Sequence, residues 1–212
     1  MNEHESEPVR GLPEYLPDGE FIVWQGEPSW RQLALRVFHV RKIAVYFVLL
    51  AGLHVGLQVS DGASWLMAAK EAAWLVMLGG AALLVLGALA RLYAHTTIYT
   101  ITNRRVAMRI GAALTMTLNL PYTWIGTAKL DLKPSGHGTL AFELIGDSRV
   151  SYLMTWPHVR PWHMSRTQPA LRCIPDAEKV ARIFADAAET RISQPRVSRI
   201  PERDGSNAVA AE

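Results

Sequence analysis

The chain contains very little cysteine: Cys173 is the only one among 212 residues. A single cysteine excludes an intrachain disulfide, which fits a main domain in the reducing cytoplasm. The sequence also lacks a glycine-rich phosphate loop, a Gly-x-Ser-x-Gly elbow and a Cys-x-x-Cys pair. We therefore expect no catalytic residues, no bound cofactor and no enzymatic activity.

Potential metal ligands are also sparse. The candidate set is His158, His163 and Cys173, and its spacing matches no standard zinc pattern. Scattered histidines in a loop are the simpler interpretation, so we expect no metal site.

Formal charge is absent from two stretches in the first half of the chain. Residues 43–59 are 17 uncharged residues, and residues 72–90 are 19 more. A helix needs roughly 17 to 25 apolar residues to cross a bilayer, so the two runs predict a transmembrane helical hairpin over 43–90. A buried hairpin of a soluble protein is the alternative, but it should carry a polar face at helical period, and neither run shows one.

Basic residues flank the predicted hairpin but are scarce in its connector. Residues 31–109 contain nine Lys or Arg against two Asp or Glu, and the connector at 60–71 has Lys70 as its single base. Basic residues are retained on the cytoplasmic side, so we expect both ends of the hairpin, and both termini, in the cytoplasm. The bases expected at the anionic membrane surface are Arg36, Arg41, Lys42 and Arg91.

The pattern changes to β-strands after residue 91. Period-two alternation predicts strands at 95–102, 105–110, 114–120, 125–132, 138–144, 150–155 and 170–174. Asn103 and Arg104 predict a tight turn between the first two. An amphipathic helix follows Pro175 and ends near Thr190, with apolar residues at i, i+3, i+4 and i+7 from Val180.

Four regions follow from these patterns. The N-terminal segment, 1–42, begins irregularly and contains a short strand at 20–26 and a juxtamembrane helix at 29–42 that continues into the first span. The hairpin covers 43–90, a β-rich domain 91–190, and a disordered polar tail 191–212. The predicted fold class is an α+β membrane protein with about seven strands closed by a C-terminal helix, although other small barrels fit the strand count.

Two motifs resemble bacterial proteins in which a pleckstrin-homology-like (PH-like) domain follows a pair of membrane spans. Residues 98–111, IYTITNRRVAMRIG, are similar to the opening hairpin of these domains, and residues 19–29, GEFIVWQGEPS, to the motif before the spans. The resemblance covers roughly residues 11–190. It implies that the β-rich domain is a cytoplasmic PH-like barrel.

Within this group the chain resembles assembly proteins for the photosynthetic complexes of purple bacteria. The similar segments are PVRGLP at 8–13, FHVRKIAVY at 38–46, TWPHVRPWH at 155–163 and IPDAEKV at 174–180. The resemblance implies an inner (intracytoplasmic) membrane protein that binds reaction-centre or core antenna polypeptides, without catalysis and without nucleic acid. A general PH-domain membrane adaptor, which binds other proteins or itself as a homodimer, is the alternative.

The loop at 156–166, WPHVRPWHMSR, is the strongest local candidate for partner contact. Tryptophan and arginine dominate binding hot spots, and proline limits the ordering cost. The alternative is that both tryptophans pack under the barrel as core. The residues expected to contact a partner are Trp156, His158, Arg160, Trp162, His163 and Arg166.

Two further groups of polar residues have a functional and a structural interpretation. His54 and Gln58 share one face of the first span, where a histidine could ligate the magnesium of a chlorophyll-type pigment. The favoured alternative is a helix–helix hydrogen bond or a position near the periplasmic interface. Asn103 and the bases at 104, 105 and 109 could bind a phosphoinositide headgroup. The tight turn favours instead a solvated or membrane-facing strand surface.

Overall fold

The computed structural model describes residues 9–111, 115–146 and 150–193. Its elements, in chain order, are β1 (Ile22–Gly26), α1 (Trp30–Arg36), α2 (Val40–Ser60), α3 (Trp65–Thr96), β2 (Ile98–Thr102), β3 (Arg105–Ile110), β4 (Met116–Pro121), a 3-10 turn (Tyr122–Trp124), β5 (Ile125–Leu132), β6 (Gly138–Leu144), α4 (Tyr152–Thr155), β7 (Ala170–Ile174) and α5 (Ala177–Ser193). The predicted fold class is confirmed: a hairpin of two long apolar helices is combined with antiparallel sheets and a C-terminal helix.

Helices α2 and α3 are long and apolar enough to cross a membrane. They contain 21 and 32 residues, so α3 extends well beyond the predicted run at both ends. Within their most apolar windows only 6% of α2 and 17% of α3 is buried in the protein. Leu49, Met77 and Leu84 point outward and are more than half exposed. This exposure favours a lipid environment over the soluble alternative, because a water-facing apolar surface of this extent is costly.

Small residues allow the two helices to pack closely. Ala68, Ala72, Leu75 and Gly79 of α3 are buried at spacings of three and four residues. A Cβ atom at Gly79 would lie 2.8 Å from Cγ of Phe47 in α2. Gly79 is therefore where the Phe47 ring approaches the α3 backbone.

Strand β1 joins the two ends of the hairpin. It pairs antiparallel with β2, placing Gln25 opposite Thr100, although the whole hairpin lies between them in sequence. The first sheet has the order β1-β2-β3-β4, and β5-β6-β7 form a second antiparallel sheet. The polypeptide therefore enters and leaves the hairpin on the same side, and part of the segment 1–42 belongs to the same sheet as the β-rich domain.

The main core lies between the two sheets and α5. The Phe184 ring of α5 is 5.0 Å from Phe142 of β6 and 5.6 Å from Tyr122, measured between ring centroids. Ala177, Val180 and Phe184 are the buried residues of α5, and they lie on one face at helical spacing. The amphipathic helix predicted after Pro175 is thus confirmed, and its apolar face packs on the core of the domain.

One predicted strand is wrong, and another is present but begins later than predicted. The segment predicted as a strand at 150–155 contains the helical turn α4, in which the Trp156 amide donates to the Tyr152 carbonyl at 2.9 Å. The Thr155 hydroxyl donates to the Ser151 carbonyl at 2.7 Å, a local bond that competes with sheet pairing. The strand predicted at 95–102 begins only at Ile98, because α3 remains helical through Thr96.

The helix predicted over 29–42 is interrupted before the first span. Helix α1 ends at Arg36, and α2 begins at Val40 after His39 adopts the left-handed conformation with φ of 53°. This break turns the chain so that Phe38 is buried against the domain. The predictions for residues 1–8, for Leu114 and for most of the tail, 194–212, lie outside the described residues.

Candidate functional site

Helix α1 lies between the hairpin and the β-rich domain and packs against both. The Ser29 amide donates to the Cys173 carbonyl of β7 at 2.9 Å, which fixes the start of the helix. Leu33 and Phe38 then pack in one buried cluster with Ala90 of α3 and with Cys173. Burial raises the pKa of the Cys173 thiol. The domain is therefore joined to the C-terminal end of α3 by packed side chains as well as by the polypeptide.

Trp156 belongs to this junction. Its ring makes edge-to-face contacts with Phe38, at a centroid distance of 5.6 Å, and with Tyr93 of α3, at 6.0 Å. The side chain nevertheless remains 39% exposed. The alternative in which the loop tryptophans pack beneath the barrel thus applies in part to Trp156, which connects the loop to the hairpin.

His158 lies in the interior, fully buried. Its Nδ1 is 2.5 Å from the Tyr99 hydroxyl, and its Nε2 is 3.0 Å from Oγ1 of Thr97. Burial lowers the pKa of His158 to about 3, and the positive charge of Arg172 adds to this effect. Burial also raises the pKa of Tyr99. Both groups are therefore neutral, and the two ring nitrogens share hydrogen bonds with the Tyr99 and Thr97 hydroxyls.

This arrangement corrects the expectation that His158 presents its ring to a partner. A buried ring whose two nitrogens are bonded within the protein positions the loop and has no surface to offer. It connects Thr97, between α3 and β2, to the loop. Tyr99 extends the connection to β7 by accepting a hydrogen bond from the Arg172 amide at 3.2 Å.

The rest of the predicted contact loop is folded back on itself. Val159 and Pro169 form an isolated β-bridge, and the Arg160 guanidinium donates to the Gln168 side chain at 3.0 Å. His163 is half-buried, with Nδ1 donating to the Pro161 carbonyl at 2.8 Å. Trp162 is 89% exposed, and Arg166 is exposed as well. Of the six predicted contact residues, Trp162 and Arg166 are therefore the most accessible.

Sequence reasoning missed three apolar residues that accompany Trp162 on the surface. Leu153 and Met154 of α4 are 85% and 70% exposed, and Met164 is 65% exposed. Tyr152 and Met164 line one open cavity of about 790 Å³, which brings α4 beside the loop. The adjacent pair Leu153–Met154 could have indicated surface exposure from the sequence. Neighbouring side chains of a strand point to opposite faces, so these two could not both face the core. We refer to the strongly exposed apolar residues of α4 and of this loop, Leu153, Met154, Trp162 and Met164, as the exposed apolar patch.

The predicted membrane-surface bases are exposed at the ends of the spans. They are Arg36, Arg41, Lys42 and Arg91. Arg91 lies over the Trp30 ring of α1, with Cζ 6.0 Å from the ring centroid. Their location beside the first residues of α2 and the last turns of α3 is compatible with contact to lipid headgroups.

The turn between β2 and β3 binds the chain's own N-terminal segment. Asn103 donates from Nδ2 to the Gly19 carbonyl at 2.9 Å, and the Arg104 guanidinium donates to the Asp18 carbonyl at 2.8 Å. Arg105 forms an ion pair with Glu20 at 2.8 Å, and Glu20 is largely buried. These side chains are already engaged within the protein, which argues against a headgroup site at this turn.

The polar residues of the first span contact the second. Gln58 lies 3.3 Å from Nε2 of His54, and it also donates to the Glu71 carboxylate of α3. The Gln58–Glu71 bond is the expected contact between the two helices, whereas the bond of His54 is to Gln58 of its own helix. Among residues 9–111, 115–146 and 150–193, no group of three His, Cys, Asp or Glu side chains is placed to hold a metal, and His158, His163 and Cys173 occupy separate surroundings.

Comparisons with known proteins agree with this architecture. The family described as Bacterial PH domain matches residues 38–188. A protein of Rhodobacter capsulatus, described as an uncharacterized 23.7 kDa protein in the puhA 5′ region, is 38% identical over 213 residues, which cover 99% of this chain and 100% of that protein.

A pleckstrin-homology domain protein of Shewanella loihica, described as a member of the duf1696 family, is structurally similar at 12% identity and a TM-score of 0.29, covering 43% of this chain and 71% of that one. A TM-score of this size is too low to identify a shared fold. The family match extends over most of the chain and includes helices α2 and α3 and strands β2 to β7. The chain belongs to the bacterial PH domain family.

Proposed function

We propose that this protein is an assembly factor for the photosynthetic reaction centre and its core light-harvesting complex, equivalent to the PuhB proteins of purple bacteria. The observation that carries the proposal is the relative in the puhA 5′ region, which matches this chain from end to end and suggests a photosynthesis-gene context. The resemblance at residues 155–163 supports it as well, and within that segment Trp156 packs on Phe38 and on Tyr93 of α3.

The structure suggests how such a factor would hold its client. A membrane polypeptide lying against α2 or α3 would meet the apolar side chains of the hairpin within the bilayer. The exposed apolar patch, whose residues flank Trp156 in the sequence, would contact the part of that polypeptide outside the bilayer. Apolar anchors surrounded by polar residues are typical of interaction surfaces. The mechanism is binding and release, with no bond chemistry and no cofactor.

We further propose an inner-membrane location with both ends of the hairpin in the cytoplasm. Pairing of β1 with β2 supports placement of the two ends on one side. The excess of Lys and Arg at those ends supports the cytoplasm as that side.

Two other functions have weaker support. A general PH-domain adaptor fits the family match equally well but leaves the relative's gene context unexplained. A pigment-handling role would need the Nε2 lone pair of His54, which faces the Gln58 amide instead.

Co-purification tests the proposal. The tagged protein is isolated in mild detergent from photosynthetically growing cells, and its companions are identified by mass spectrometry and absorbance spectra. We expect reaction-centre or core antenna polypeptides, reduced in the variant Trp162→Ala and retained in Tyr15→Ala, which alters an exposed aromatic of the N-terminal segment. Recovery of the protein alone, or of unrelated membrane proteins, would favour the adaptor.

A further inference from the structure

A cavity of about 210 Å³ lies between α1, the β5–β6 hairpin and β7. Its walls include Gln32 and Arg36 from successive turns of α1, with Nε of Arg36 donating to Oε1 of Gln32 at 3.1 Å. The opposite wall is the tight turn after β5, which the Lys133 amide closes by donating to the His137 carbonyl at 3.0 Å. Arg172 of β7 completes the lining.

The lining of this cavity is basic. Three permanent cations, Arg36, Lys133 and Arg172, face one carboxylate, Asp131. Asp131 is paired with Lys133 at 2.7 Å, so the two arginines have no acidic counterpart among the described lining residues. Both arginines also lower the pKa of the neighbouring Cys173 thiol, against the larger effect of burial, which indicates that their charges act at the same place.

Arg172 has unused hydrogen-bonding capacity at this position. One terminal nitrogen donates to the Pro157 carbonyl at 3.2 Å. Its Nε is buried and has no hydrogen-bond partner among the described residues. A buried donor on a charged group without an acceptor is costly, and an anion that accepted from it would remove that cost.

We propose that this cavity is a binding site for a phosphate group. Guanidinium groups match phosphate oxygens with paired hydrogen bonds, and the Lys133 ammonium, paired with Asp131, supplies a further N–H donor. Arg36 is four residues before the start of α2, so the mouth of the cavity is close to the point where the chain enters the membrane. The phosphate of an anionic lipid headgroup and free phosphate share this chemistry. The site differs from the β2–β3 turn, whose bases are bonded to the N-terminal segment, and it assigns Arg36 a role beyond general attraction to the membrane surface.

The test uses the full chain in detergent and in lipid nanodiscs. Inorganic phosphate is titrated into the detergent-solubilised protein by calorimetry, and the titration is repeated in nanodiscs with and without phosphatidylglycerol. The variants are Arg36→Gln and Lys133→Gln, both at exposed or half-exposed positions, so that one remains informative if the other fails to fold. Arg41→Gln is the matched control, because Arg41 is an exposed base near the same end of α2 but outside the cavity.

We expect wild-type protein and Arg41→Gln to bind phosphate equally, and Arg36→Gln to bind about tenfold or more weakly, as for loss of a charged hydrogen-bond donor. Weaker phosphate binding in phosphatidylglycerol nanodiscs identifies a lipid headgroup as the occupant, whereas unchanged binding identifies free phosphate. Binding of phosphatidylglycerol without measurable binding of free phosphate also supports the site, provided that it depends on Arg36 and not on Arg41. Equal behaviour of Arg36→Gln, Lys133→Gln and Arg41→Gln, or no binding of either probe, would overturn the proposal.

Discussion

The Tyr99 hydroxyl and Nδ1 of His158 are 2.5 Å apart inside the domain. This hydrogen bond joins β2, the first strand after the hairpin, to the loop that contributes to the exposed apolar patch. Because Trp156, two residues earlier, packs on Phe38 and Tyr93, the loop is held at both the domain and the hairpin. The start of this loop is therefore held in place by packed and hydrogen-bonded groups.

The buried His158 makes stability depend on pH. Its pKa is about 3 in the folded protein against an ordinary value of 6.5, so on acidification the unfolded chain takes up the proton first. Stability is complete above pH 6.5 and is lost progressively between pH 6.5 and about 3, with a slope of at most about 1.4 kcal/mol per pH unit from this group. Thermal unfolding in detergent from pH 7.5 to 4.5 should show this loss.

The variant His158→Gln serves as the control for that slope. It should be less stable at neutral pH, because the ring hydrogen bonds are disturbed, but its stability should fall less steeply on acidification. An identical slope in both proteins would show that His158 does not titrate as described.

The contact between Gly79 and Phe47 predicts a difference between two neighbouring glycines. Gly79→Ala places a Cβ atom 2.8 Å from the Phe47 ring, and we expect a loss of about 1–3 kcal/mol from overpacking. At Gly80 no atom of the described residues lies within 4 Å of such a Cβ, so Gly80→Ala should be neutral. Melting temperatures of the two variants in the same detergent measure the difference, and equal values would contradict the packing of α2 on α3.

Two ion pairs of the N-terminal segment should differ in their contribution to stability. Glu20 is 3% exposed in its pair with Arg105, whereas Glu27 is 36% exposed in its pair with Arg10. Removal of a buried partner leaves an uncompensated charge, so Glu20→Ala should cost about 3–5 kcal/mol. Glu27→Ala should cost less than about 1 kcal/mol. Urea or thermal unfolding distinguishes them, and a small effect of Glu20→Ala would mean that β1 is not anchored at the β2–β3 turn.

The single buried cysteine permits a direct test of orientation. Cys173 is 4% exposed and burial raises its pKa, so it should react slowly with maleimide. A cysteine introduced by Asp61→Cys in the connector should be labelled from the periplasmic side of intact cells. One introduced by Tyr15→Cys should be labelled only after the inner membrane is opened. The reverse pattern would overturn the proposed topology.

Sequence periodicity was sufficient for the local elements but could not supply long-range relationships. The strands at 105–110, 125–132 and 138–144 were predicted with their observed bounds, because alternation and turn residues determine them locally. The pairing of β1 with β2 depends on the hairpin bringing its two ends together, which no local pattern records. The helical turn α4 was missed because a local Thr155–Ser151 bond replaces sheet pairing.

The candidate site was predicted only in part for the same reason. Trp162 and Arg166 are accessible, as a contact loop requires, whereas His158 is buried and Trp156 is shared with the junction. Composition indicates which residue types favour binding, but it does not indicate which of them point inward. The exposure of Leu153 and Met154 belongs to the helical turn α4, which the sequence did not predict.

Site-specific crosslinking from the exposed apolar patch tests whether the protein binds a polypeptide of the photosynthetic complexes. A photoreactive benzoylphenylalanine replaces Trp162, which is 89% exposed, and in a control protein it replaces Tyr15; both are irradiated in photosynthetically growing cells. Our account predicts an adduct with a reaction-centre or core antenna polypeptide from position 162 and none from position 15. Adducts from position 162 with a second copy of this chain alone, or with no polypeptide, would contradict it.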